Sequence, residues 1–116
     1  MDLSVLYEYC TAKKQVTEGF PFGEGVLVLR VAGKMFALIS LDENPLRINL
    51  KCDPERAVEL RDQYEVILPG YHMNKKHWNT VVLDGTLSDV FVFELVDHSY
   101  DSMVATLPKT VRKEFE

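Results

Sequence analysis

Leu46-Arg47-Ile48-Asn49-Leu50-Lys51-Cys52-Asp53-Pro54 changes its period within one short run. From Leu46 to Cys52, apolar and polar residues alternate, the pattern of a strand with one face buried. Leu46, Ile48, Leu50 and Cys52 point one way; Arg47, Asn49 and Lys51 point the other. Asp53-Pro54 then starts a helix, with Asp as the cap and Pro at the first helical position, where its missing N–H costs nothing. A half-buried strand that runs straight into a helix belongs to a sheet with helices on one side. Its other side is cationic here.

Upstream, Val26 to Val31 is rich in β-branched residues and reads as a strand. Ala32-Gly33 makes a tight turn, and Lys34 to Ser40 returns as the antiparallel partner. The Gly- and Pro-bearing segment Thr17 to Gly25 is a connector with room for a short strand around Thr17–Phe20. Asp2 caps a first helix running to about Lys14, with Leu3, Leu6, Tyr7 and Cys10 on its inner face. Downstream, Ala57, Leu60 and Tyr64 give the second helix a narrow apolar stripe. Val66-Ile67-Leu68 is a strand stopped by Pro69-Gly70, and His77 to Leu83 is another, closed by Asp84-Gly85.

Ser88 to Thr106 is ambiguous by propensity, because Val90-Phe91-Val92-Phe93 favours β. Its polar positions decide for a helix: Glu94, Asp97 and Asp101 form one acidic stripe. Val92, Leu95, Val96, Ser99 and Met103 form the buried face opposite, and Phe93, Tyr100 and Val104 fall on the flank of the stripe. Pro108 ends the element. The expected architecture is therefore α+β, in the order α-β-β-β-α-β-β-α. It is one domain over residues 1–116, with an antiparallel sheet and helices packed on one face. The other face carries Arg47, Asn49 and Lys51, joined by Trp78 and Thr80.

The totals narrow the function. A chain of 116 residues with 47% hydrophobic and 27% charged residues buries one core. No apolar run is long enough to span a membrane, and the N-terminus lacks the pattern of a signal peptide. Two cysteines without CxxC spacing give neither a disulfide framework nor a metal site. A cytoplasmic protein without metal or cofactor is expected. No Walker A, GxSxG or HExxH sequence occurs. A net charge of −5 disfavours general polyanion binding.

Pro69 to Asn79 reverses that sign locally: it holds the only Trp, two His, an adjacent Lys pair and no acid. Two readings stand open. As an anion or nucleic-acid site, Lys75 and Lys76 supply charge, and Tyr71 and Trp78 supply stacking surface. His72, Asn74 and Asn79 supply hydrogen bonds, and Gly70 lets backbone N–H groups approach a phosphate. Arg47 and Lys51 extend the patch if the strands are neighbours. As a plain turn, Pro-Gly makes the bend, Trp78 packs on the sheet and the lysines stay solvated. The acidic stripe reads as a solvated face, and Cys52 as a packed thiol with no catalytic partner in view. The apolar supply of the last helix exceeds one inward stripe. Self-association through Val90 and Phe93, or a contact with Lys109 to Glu116, would use it.

Phe20-Pro21-Phe22-Gly23, Gly33-Lys34-Met35-Phe36-Ala37, Lys51-Cys52-Asp53-Pro54-Glu55 and the whole Pro69–Asn79 stretch resemble the MmcQ/YjbR family of small bacterial domains. Leu83-Asp84-Gly85, Ser99-Tyr100 and Leu107-Pro108-Lys109 complete a resemblance that covers nearly the whole chain. It implies an α+β domain like the CyaY (frataxin) class and a DNA-binding role through a double-wing arrangement. It carries over no catalytic residue. Relatives tend to be more polar where this chain has Val90, Phe91 and Phe93.

Overall fold

The computed structural model describes residues 1–115. The elements are α1 (Leu3–Thr11), β1 (Val16–Gly19), β2 (Val26–Val31), β3 (Lys34–Ser40), β4 (Arg47–Lys51), α2 (Pro54–Gln63), β5 (Ile67–Pro69), β6 (Trp78–Val82), α3 (Asp89–Val104) and a short α4 (Lys109–Arg112). A 3-10 turn at Lys113–Phe115 follows. The six strands form one antiparallel sheet in the order β1-β2-β3-β4-β6-β5. The architecture is α+β as read, with β1 as a fourth strand ahead of α2 and α4 as an addition after Pro108. The first helix stops at Thr11, short of Lys14.

Local chemistry accounts for the boundaries. The side chains of Asp2, Asp53 and Ser88 accept from the backbone N–H groups of Val5, Arg56 and Phe91 and so cap α1, α2 and α3. Ala32-Gly33 takes positive φ at both positions, as a two-residue hairpin turn requires. Pro69 lies inside β5 rather than beyond it. The strand is at the sheet edge, where a residue without an N–H leaves no ladder bond unmade.

The main core sits between one sheet face and α1, α2 and α3, and includes Leu6, Cys10, Leu29, Phe36, Ile39, Ile48, Leu50, Ala57, Leu60, Val81, Val92 and Val96. Ser99, fully buried, joins α3 to the sheet: its Oγ accepts from Lys51 N (2.9 Å) and donates to Phe36 O (2.5 Å). The opposite face is not bare. Val28, Leu38 and Trp78 form a small second cluster there, with Val26, Met35 and Met73 packed against it.

Helix α3 corrects the reading of its flank. Tyr100 is buried: its ring meets Phe36 edge-on at 5.3 Å and its hydroxyl donates to Lys14 O (2.6 Å). Phe93 stacks on Tyr9 with ring centroids 3.9 Å apart. The extra apolar surface is thus used largely within the chain, because α1 and the segment after it wrap that side. Val90 remains 78% exposed. The acidic stripe is also not merely solvated. Asp97 accepts from Tyr9 Oη (2.6 Å) and Lys13 Nζ (2.5 Å), and Glu94 pairs with Arg56 (2.9 Å).

Candidate functional site

The Pro69–Asn79 segment leaves β5 at the sheet edge, folds back over the outer sheet face and re-enters as β6. Gly70 makes this possible. A Cβ there would lie 2.7 Å from Trp78 Cβ and 2.8 Å from Trp78 O, and its own N–H donates to that carbonyl (2.8 Å). The glycine therefore admits the chain's own backbone, not a phosphate.

From there the loop is held on both sides. Tyr71 N donates to Thr80 Oγ1 (3.0 Å), Thr80 Oγ1 donates to Asn49 Oδ1 (2.5 Å), and Asn49 Nδ2 donates to Tyr71 O (3.2 Å). From the helix side, Arg61 Nη1 donates to Lys75 O and to Asn79 Oδ1, both at 2.9 Å. Asn74 closes the turn: its Oδ1 accepts from Lys76 N and its carbonyl from Trp78 N, each at 2.9 Å.

This anchoring sorts the candidate residues. Tyr71 (69% exposed), His72, Lys75 and Lys76 project into solvent, and His72 holds a left-handed φ of 60°. Trp78 does not: it is 9% exposed, packed with Val28 and Leu38 under Met73, so it serves the sheet rather than a stacking ligand. Asn79 points the other way, buried among the helices, with Oδ1 on Arg61 and Nδ2 donating to Ala57 O (3.4 Å). Its role as a ligand group is corrected by strand parity: Lys51 pairs with Trp78 and Asn49 with Thr80 on the outer face, so Asn79, opposite Leu50, must face inward. Asn74 spends its side chain on the turn. Lys51 lies beside the loop through its pairing with Trp78, whereas Arg47 pairs with Ser40 and Val82 at the far end of the strand. The structure thus sets Tyr71 and His72 on one side of the loop and Lys76 on the other, toward α2, with Lys51 paired to Trp78 at its base and Arg47 outside both groups.

Two surface grooves flank the loop. One, of about 490 Å³, is lined by Tyr71, His72 and Met73 on one side and by Phe22, Gly25, Val26, Ser40, Asp42 and Glu43 on the other. The second, about 540 Å³ and more open, runs along α2 past Pro54, Glu55, Val58, Glu59, Arg61 and Lys76. The sequence offered no signal for the first groove, because three separate connections meet there. A small recess of about 10 Å³ is lined by Cys52, His98 and Asn79, room for one water at most. Burial pushes the Cys52 thiol up, and the Cys10 thiol up to about 12. His98 is lowered, by burial first and by Arg56 next, and its Nε2 accepts from Asp53 N (3.3 Å). Among the described residues, no group of His, Cys, Asp and Glu is arranged to hold a metal, and no helix is long and apolar enough to cross a membrane.

The YjbR family model matches residues 11–102. The uncharacterised protein YjbR of Escherichia coli K12 is 38% identical over 97% of this chain and 96% of its own length. The crystal structure of Deinococcus radiodurans protein DR2400, a DUF419 domain, superimposes with a TM-score of 0.92 at 40% identity, covering 97% of this chain and 86% of that one. A Pseudomonas syringae protein of known crystal structure gives a TM-score of 0.75 at 28% identity over 88% of this chain and 98% of its own.

Proposed function

Because this chain belongs to the YjbR family, we propose that it acts as a binding domain whose contact surface is the loop Gly70–His77 on the outer sheet face. The ligand is a phosphate-bearing one, nucleic acid or a smaller anion, held weakly by Lys75 and Lys76, with Lys51 at the base of the loop opposite Trp78. Tyr71 and His72 offer flat surface and hydrogen bonds at the margin.

The observation that carries this reading is the anchoring of the loop. Three side chains (Asn49, Thr80 and Arg61) hold it from both faces of the sheet, yet the residues so held are an exposed tyrosine, a left-handed histidine and two lysines with no ion pair among the described residues. Rigid support for exposed polar groups contributes nothing to a core and suits binding. A binding role is favoured over catalysis because both cysteines are buried with raised thiols.

Glu55 and Glu59 share the groove of Lys76, and Asp42 and Glu43 share the groove of Tyr71, so the anion surface is narrow. Two or three phosphate contacts follow, with a log–log salt slope of about −2 and no sequence readout. Titration of single-stranded DNA, duplex DNA and nucleotides tests this, read by fluorescence of Trp78 under the loop and by an independent mobility assay. Saturable, salt-weakened binding that is lost in the Lys75→Ala/Lys76→Ala variant is the expected result. Binding that the double variant leaves intact, or none in either assay, overturns the proposal.

A further inference from the structure

We infer that the groove between Phe22 and Tyr71 is a second site, built for a small organic cation: an ammonium group on a short alkyl stem. At about 490 Å³ it falls in the range of small-ligand sites. Its walls are two aromatic rings that no core claims, Phe22 at 61% and Tyr71 at 69% exposure. Val26 and Met73 supply apolar surface beneath them. The backbone that carries each ring is tied down. Tyr71 is anchored through Thr80 and Asn49, and Phe22 sits in a turn closed by Gly23 N on Phe20 O (3.2 Å) and Val26 N on Gly23 O (3.3 Å), with Gly23 at φ 105°.

Charge selects the occupant. The lining holds two carboxylates, Asp42 and Glu43, and no lysine or arginine. Neither carboxylate has an ion-pair partner among the described residues. Asp42 is seated against Gly25, in space that any side chain at residue 25 would fill. Ring faces carry negative quadrupole charge, so aromatics beside unpaired carboxylates attract a cation and repel the phosphate proposed for the lysine side of the loop. The net charge of −5 acts in the same direction. A bare metal ion fits poorly, because the described residues offer no third ligand and most of the lining is apolar. Arg47 pairs in the sheet register with Ser40, a lining residue, and its charge opposes the ligand's.

Choline is the probe, with its neutral carbon analogue neohexanol as control, titrated into isotope-labelled protein and followed by amide chemical shifts. Saturable shifts are expected at residues 22–24, 40–43 and 71–73 with choline, and not with neohexanol. Asp42→Asn/Glu43→Gln, which keeps shape, weakens choline at least about tenfold, and Tyr71→Leu about threefold to fivefold. Arg47→Gln tightens binding. Lys75→Ala/Lys76→Ala leaves it unchanged, so this site stands or falls independently of the anion surface. Equal shifts from both probes, shifts elsewhere, no shifts, or full affinity in an Asp42→Asn/Glu43→Gln variant with a native spectrum each overturn the inference.

Discussion

Replacing Thr80 by Val removes one hydroxyl at the point where the loop is tied to the sheet and changes the shape of the side chain little. In the native protein that hydroxyl accepts from Tyr71 N at 3.0 Å and donates to Asn49 Oδ1 at 2.5 Å, on a residue 3% exposed. Asn49 regains a water partner because it is half-exposed, so its loss is small. Tyr71 N–H is part-buried and loses its only side-chain acceptor. Leaving that N–H without its acceptor costs about 1–3 kcal/mol, so a loss of about 2 kcal/mol is expected, or roughly 8 °C in Tm for a chain of this size. Urea unfolding followed by Trp78 measures the loss directly, because that ring lies under the loop. Amide exchange at Tyr71 separates local from global opening. The expected result is loss of Tyr71 protection beyond the global change, together with weaker binding at both faces of the loop. A loss under about 0.5 kcal/mol with Tyr71 still protected would show that packing by Met73, not the relay, holds the loop, and the argument for a pre-organised surface would fail.

Other consequences are as direct. Ser99→Ala removes the partner of both Lys51 N and Phe36 O inside the core, so a loss of about 2–4 kcal/mol is expected in the same urea assay, several times that of an exposed Ser→Ala change such as Ser4. His98 is held neutral, with its folded pKa below the unfolded value, so the stability it contributes is present above about pH 6.5 and is lost as pH falls through the folded pKa. His98→Gln should flatten this part of the stability profile; an unchanged profile would assign the acid loss to carboxylates.

Most of the fold is legible because its signals are local. Alternation at Leu46–Cys52, the Asp53-Pro54 cap, the Ala32-Gly33 turn and the Ser88 cap each depend on a few neighbouring residues, and each recurs in the structure. The polar stripe settled α3 against its own β propensity because period outweighs propensity when a helix has a sheet to pack on. The flank of that helix was not legible. Whether Phe93 and Tyr100 meet solvent, another chain or their own depends on where α1 and the turn after it lie, and Tyr9 and Lys14 give no local sign that they will be the partners.

The candidate site divides along the same line. Parity alone excludes Asn79, since a strand that turns Trp78 and Thr80 outward must turn Asn79 inward, where Arg61 and Ala57 O satisfy it. Composition, by contrast, misleads here. Counted along the chain, Pro69–Asn79 is a cationic segment without an acid. Folded, the turn at Asn74 parts it, so that Tyr71 and His72 face Asp42 and Glu43 while Lys76 faces Arg61 beside Glu55 and Glu59. Charge acts through space, and the acids that set the field at Tyr71 come from the connection after β3. The sign of a ligand for this loop therefore depends on which side of Asn74 it approaches. A ligand found to bind should be assigned by its response to the lysine pair and to the acid pair separately, since a variant of either alone would leave half of the surface unread.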